Sequence, residues 1–220
     1  MSPRQGGSAG RAARAAAAGE RGSGRKGDAA RLRIFLAVFP PPQAQEVATA
    51  VIESLRRDGD GVSWVKRENL HYTVRFLGEL GEDGTRRAAE AATEAASDHS
   101  VFEARLGGLG AFPSARGARV LWVGLAEGAE RLVALARSVE AALVRRGFDR
   151  EGRRFEAHLT LGRARDPHAD WTEPLARGSA AVQSAGVAAS FRVDRVVTVH
   201  SQLSPRGSLY TVRAEARLHR

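Results

Sequence analysis

The sequence predicts an α+β protein built as two pseudo-twofold-related lobes, each an antiparallel-rich sheet with helices on its outer face, with a cleft between the sheets. Three observations predict it. Apolar residues alternate with period two in some stretches and follow helical spacing in others, so strands and helices both occur. The stretches "HYTVRFLG" at 71–78 and "HLTLGRAR" at 158–165 share a His-x-Thr-hydrophobic start, 158−71=87 residues apart, and sliding the chain by that interval aligns their surroundings without a gap. Two alternating stretches around the turn signal "SPRG" read as a closing hairpin.

The elements follow in chain order. "RIFLAVFP" at 33–40 is a compact apolar run with aromatic and β-branched residues, as is its counterpart "VLWVGLAE" at 120–127, and both read as buried strands. Val47, Val51, Ile52 and Leu55 form an apolar helical stripe; Leu132, Leu135, Val139 and Leu143 form its counterpart one repeat later. Gly59 and Gly147 stand where helix C-terminal caps are expected. "GTRRAAEAATEAASD" at 84–98 predicts an Ala-rich helix joining the lobes, and "VFEARLGGLGAFP" at 101–113 a strand ending in a Gly/Pro turn. Residues 191–203 and 208–218 supply the hairpin. Residues 31–220 therefore read as a single bilobal domain with an internal repeat at about 33–78 and 120–165. Residues 1–30, rich in Arg, Ala and Gly and poor in large apolar side chains, are expected to form a disordered tail.

Composition narrows the chemistry. The chain has no cysteine, which removes disulfides, thiolate nucleophiles and cysteine-bound metals. Its longest apolar runs are strand-sized, far short of the ~20 residues that span a bilayer, so a cytoplasmic protein without membrane association, and a monomer, is expected. The net charge is +9, of which residues 1–30 contribute 6−2=+4, leaving 28−23=+5 on the remainder. A mildly basic folded part suits an anionic ligand.

Alternate strand residues share a face. His71 and Thr73 thus point one way while Tyr72 and Val74 point the other, and His158 and Thr160 repeat the arrangement. If the lobes are related by a pseudo-twofold, two imidazoles and two hydroxyls converge on one cleft. That set fits phosphodiester cleavage without a metal. An imidazole titrates near ~6.5 and can take or give a proton at neutral pH. One histidine can deprotonate the attacking group while the other protonates the departing oxygen across the phosphorus. Threonine hydroxyls can donate to the non-bridging oxygens. His99, His168, His200 and His219 have no threonine two residues on and are read as packed or surface residues. Neither motif offers a second metal ligand, so no metal or other cofactor is expected.

These motifs resemble the 2H phosphoesterase superfamily, and more specifically its RNA 2′,3′-cyclic phosphodiesterase (2′-5′ RNA ligase) family. The resemblance covers about Arg31 to the C-terminus through "RLRIFLAVFPP", "VSWVKRENLHYTVRFLGEL", "GLGAFPSARGARVLWVGL", "RRFEAHLTLGRAR" and "SQLSPRGSLYTV". Ala157 departs from it, since members commonly carry Pro before the second histidine; Tyr72 stands where Leu is frequent. The resemblance implies that the cleft is the active site and that the substrate is an RNA 3′ end or nucleotide bearing a 2′,3′-cyclic phosphate, opened to a 2′-phosphate. It further implies His71 as proton donor to the departing 3′ oxygen, His158 as proton acceptor from water, and Thr73 and Thr160 as phosphate-binding residues.

Phe76 and Arg163 occupy matching positions five residues after each histidine, where a ring and a guanidinium could stack a base. Strand parity puts that position opposite the histidine unless a bulge intervenes, so the alternative is Phe76 in the core and Arg163 at the surface. Arg75 and Arg165 lie near and are not ranked. Two other functions compete with hydrolysis: 2′-5′ RNA ligation at the same site, and non-catalytic binding of RNA ends. Water is in vast excess over a polynucleotide hydroxyl, which favours hydrolysis unless a second RNA end is held in place.

Overall fold

The elements run β1 (Leu32–Val38), α1 (Pro42–Leu55), β2 (Val62–Trp64), β3 (Tyr72–Leu80), α2 (Glu82–Ser97), β4 (Phe102–Phe112), β5 (Val120–Glu127), α3 (Ala129–Arg145), β6 (Leu159–Ala164), α4 (Thr172–Ser184), β7 (Ser190–Val193), β8 (Arg195–Ser204) and β9 (Gly207–Arg217). This computed structural model describes residues 31–166, 168–205 and 207–220; the tail expected over residues 1–30 lies outside them. The repeat holds in the element starts: α3 begins 129−42=87 residues after α1, and β6 begins 159−72=87 residues after β3.

The strands form one antiparallel sheet in the order β7-β4-β5-β6-β3-β1-β8-β9, with β2 added alongside β6. The two lobes, β3-β1-β8-β9 and β7-β4-β5-β6, are thus joined edge to edge rather than standing as separate sheets. The join is the antiparallel pair Tyr72↔Leu159. α1 packs beside α4 and reaches β6, while α3 packs beside α2 and reaches β3, so each repeat helix supports the other repeat's motif strand.

Continuous apolar runs become intelligible from this layering. In β1, Leu36 and Val38 enter the main core with the helices. Phe35 and Ala37, on the other face, join Val197 and Val199 in a smaller cluster flanked by Phe39 and Tyr210. A strand covered on both faces needs no polar alternation. The α3 stripe Leu132, Leu135, Val139 and Leu143 is fully buried, as the helical spacing predicts.

One local reading holds and two change. α3 ends in a Schellman cap, with Gly147 at φ 81° and the N–H groups of Gly147 and Phe148 donating to Val144 O (3.0 Å) and Leu143 O (3.1 Å). α1 instead stops at Leu55, so Gly59 lies in the following turn rather than at the cap. The stretch 191–203 is broken at Asp194: β7 pairs with β4 at one end of the sheet, while β8 pairs with β1 and β9 near the other. The closing hairpin is β8–β9 alone.

Candidate active site

Each histidine directly precedes its motif strand, and the paired residues Tyr72 and Leu159 immediately follow them. Antiparallel register around that pair sets His71 beside Thr160 and Thr73 beside His158. The two histidines are then diagonal neighbours across the join, a relation that spans about 7–8 Å in a regular ladder. Tyr72 and Leu159 point into the core, both 0% exposed. By alternation the histidines and threonines face away from the helices, and all four line one cavity of about 1490 Å³.

The question of position +5 is decided by two bulges. In β3 the register runs Ala37↔Thr73, Leu36↔Arg75, Phe35↔Phe76, which leaves Val74 as the extra residue. In β6 it runs Trp122↔Thr160, Leu121↔Gly162, Val120↔Arg163, which leaves Leu161. Val74 and Leu161 are themselves 161−74=87 residues apart, so the bulge is part of the repeat. Each inserted residue shifts the alternation by one and turns position +5 onto the histidine face. Phe76 and Arg163 both line the cavity; Phe76 is 54% exposed.

The histidines are anchored alike. His71 Nδ1 lies 2.7 Å from the Asn69 carbonyl and His158 Nδ1 lies 2.8 Å from the Glu156 carbonyl, in each case two residues back. A carbonyl only accepts, so Nδ1 carries the hydrogen in both rings and Nε2 is left to the cavity. Their packing differs. His71 is caged by Phe35, Phe39 and Tyr210, with ring centroids at 4.9, 5.4 and 5.4 Å. Among the described residues His158 has a single ring neighbour, Phe112, edge-on at 5.1 Å. Burial pushes the His71 pKa below the usual histidine value against the opposing pull of the Asn69 carbonyl, and the charges of His158 and Arg163 depress it further.

Phe112 is held in turn by Trp122, at 5.3 Å, the residue one repeat after Phe35. The Trp122 ring lies flat on Gly110, where an added Cβ would collide with Trp122 Cζ2. A glycine is therefore required for the stack that seats His158.

The remaining polar groups divide into free and committed. The hydroxyls of Thr73 and Thr160 and the guanidinium of Arg163 make no hydrogen bond or ion pair to other described residues. Arg75 also lines the cavity but is committed to structure: Nε lies 3.1 Å from Glu140 Oε2, one terminal nitrogen 2.5 Å from Glu151 Oε2, and the other donates to Asp149 O at 2.6 Å. It ties β3 to α3 and to the segment leading into His158. Arg165 does not line the cavity, nor do His99, His168, His200 or His219. Asn69 Nδ2 donates to Ser208 O at 2.8 Å and latches the β8–β9 hairpin beside His71.

Phe35, Phe39, Phe112, Tyr210 and Asn69 shape the site and escape a motif reading, because none lies in either His-x-Thr stretch. Their one sequence signal is that they fall within the stretches that carry the family resemblance. Among the described residues there is no cluster of three or more His, Cys, Asp or Glu that could hold a metal ion, and no helix long and apolar enough to cross a membrane.

Known proteins resemble this chain over most of its length. Residues 39–204 match the family model of the 2′-5′ RNA ligase superfamily. A Methanothermobacter thermautotrophicus protein named RNA 2′,3′-cyclic phosphodiesterase is 33% identical over 181 residues, covering 82% of this chain and 96% of that protein. One of the same name from Archaeoglobus fulgidus is 32% identical over 179 residues, covering 81% and 96%. Among solved structures, E. coli LigT complexed with 3′-AMP superposes with a TM-score of 0.66 at 21% identity, covering 86% of this chain and 99% of LigT. A Thermus thermophilus protein gives a TM-score of 0.63 at 28% identity, covering 85% and 98%.

Proposed function

Because the chain belongs to the 2′-5′ RNA ligase superfamily, we propose that it hydrolyses a 2′,3′-cyclic phosphate at an RNA 3′ end or on a nucleotide, leaving a 2′-phosphomonoester. The observation that carries this reading is the Tyr72↔Leu159 pair, which sets two identically anchored imidazoles and two free hydroxyls around one opening. The names of the relatives point to the same bond.

The reaction needs two proton transfers at one phosphorus. His158 Nε2 accepts a proton from water as its oxygen bonds to phosphorus. The bond from phosphorus to O3′ breaks, and His71 Nε2–H delivers a proton to O3′, giving a 3′ hydroxyl and a 2′-phosphate. Thr73 and Thr160 donate to the non-bridging oxygens, where charge accumulates. His71 must be protonated to act, yet in the free site burial and neighbouring positive charge hold its proton affinity down. The bound phosphodiester carries a negative charge that offsets the repulsion, so substrate binding itself favours the protonated ring. Phe76 and Arg163 flank the phosphate site as platforms for the terminal base.

One imidazole takes its proton from water and the other gives its proton to O3′, so the proposed turnover calls on no metal. The test is incubation with a 2′,3′-cyclic nucleotide in excess EDTA, followed by phosphorus NMR. A 2′-phosphate is expected. A 3′-phosphate, or loss of turnover on chelation, contradicts the proposed roles. His71→Ala and His158→Ala should each abolish turnover with the thermal transition retained.

A further inference from the structure

The cavity extends well beyond the two histidines. At about 1490 Å³ it exceeds the roughly 300–1,000 Å³ of a typical small-ligand pocket. Its distal limb runs between the face of α3 bearing Val133, Arg137 and Val144 and the segment 150–156 that leads into His158. This limb is cationic. Arg137, Arg150, Arg153 and Arg154 line it, all four are exposed, and none has a carboxylate partner among the described residues. The acidic residues beside them are largely spent: Glu140 and Glu151 are both held by Arg75, which leaves Glu156 as the uncommitted carboxylate of the lining. Three of the four arginines fall within five residues of sequence, 150–154, and the fourth projects from α3 opposite them.

Four unpaired guanidinium groups in one groove repel one another unless something anionic lies among them. Because the groove is continuous with the phosphate site, its occupant can be covalently continuous with the reacting nucleotide. We propose that Arg137, Arg150, Arg153 and Arg154 form a backbone track for the internal phosphates of an RNA strand whose cyclic-phosphate end sits between His71 and His158. The substrate class is then the oligonucleotide rather than the mononucleotide. This inference rests on the phosphodiesterase reading above and extends it. Arginine suits the role because its planar fork binds phosphate oxygens in pairs and is weakly hydrated.

The test compares three substrates ending in a 2′,3′-cyclic phosphate: a mononucleotide, the same mononucleotide with a 5′-phosphate, and an eight-residue RNA. Single-stranded binding weakens with salt by a log–log slope of about −0.7 per phosphate contacted. Three internal phosphates therefore add about a 20-fold rise in the octamer KM between about 50 and 200 mM salt, beyond that of the mononucleotide. The combined variant Arg150→Gln, Arg153→Gln, Arg154→Gln should bring the octamer KM and its salt slope close to those of the mononucleotide. Mononucleotide kcat/KM should stay within about twofold. Arg137→Gln, held on a helix independent of that segment, should reduce the octamer slope by about one contact. Equal KM for mononucleotide and octamer in the unmodified protein overturns the track, as does an equal loss on both substrates in both variants. A gain complete with the 5′-phosphorylated mononucleotide overturns the strand in favour of a nucleotide ligand. Absence of turnover on every substrate overturns the phosphodiesterase reading, and this proposal with it.

Discussion

Replacing Phe35 by Leu is expected to raise the proton affinity of His71 while leaving the fold intact. Phe35 is 2% exposed, lies 4.9 Å from the imidazole, and also touches Phe76 at 5.8 Å and Tyr210 at 5.1 Å. It is thus the inner wall of the cage whose burial is the largest cause of the depressed His71 pKa. Leucine keeps the site apolar at a cost of about 1–1.5 kcal/mol, whereas Phe35→Ala would cost about 3–5 kcal/mol. At about 2–4 °C per kcal/mol for a domain of this size, the leucine variant should melt about 2–6 °C lower. Water entering the gap relieves the desolvation, so the midpoint must move upward. Stability follows the sign. With the folded pKa below the unfolded value, the unfolded chain binds the proton first, so stability is undiminished above about pH 6.5 and falls as pH drops towards the folded pKa. The leucine variant should lose less over that interval than the parent protein does. The assay is NMR titration of the His71 ring, paired with melting at pH 8 and pH 5.5. A lowered melting temperature with an unmoved or lower His71 midpoint refutes the burial argument.

Thr73→Val and Thr160→Val should each lower kcat by about 10²–10³-fold with little change in melting temperature, since each removes one donor to the phosphate oxygens; Ser at either position should restore most of the rate in steady-state kinetics. Gly110→Ala must displace Trp122, whose ring leaves no room for a Cβ, and should cost about 1–3 kcal/mol by denaturant unfolding. Turnover should fall with it as Phe112 shifts beside His158. Asn69→Ala unlatches the β8–β9 hairpin from the His71 segment and should cost about 0.5–1.5 kcal/mol. Faster amide exchange confined to the hairpin residues around Ser208 would report that loosening.

The duplicated core was legible because it is written in local patterns. Strand and helix periods, and the constant 87-residue interval, depend on neighbours along the chain, and α1, α3, β3 and β6 all start in that register. What local pattern omits is how strands pair. The bulges at Val74 and Leu161 arise from inter-strand hydrogen bonding, and neither residue differs in type from an ordinary strand residue. Alternation alone therefore left Phe76 and Arg163 on an undetermined face. The same limit hid the cage, since Phe39, Phe112 and Tyr210 reach the histidines from a loop, the end of β4 and the hairpin. The break at Asp194 carries no glycine or proline, so 191–203 reads as one strand although its halves pair with β4 and β1. α4 holds Pro174 and Gly178, both poor helix formers, and gave no helical reading despite its buried face.

In the proposed mechanism His71 and His158 address one phosphorus from either side. This is tested most directly by following both imidazole rings by NMR during titration with a nucleoside 2′-monophosphate, the proposed product. Both rings should shift together along a single saturation curve at one ligand per protein, and the His71 midpoint should rise in the complex. A response confined to one ring, or two curves with separate affinities, would contradict it.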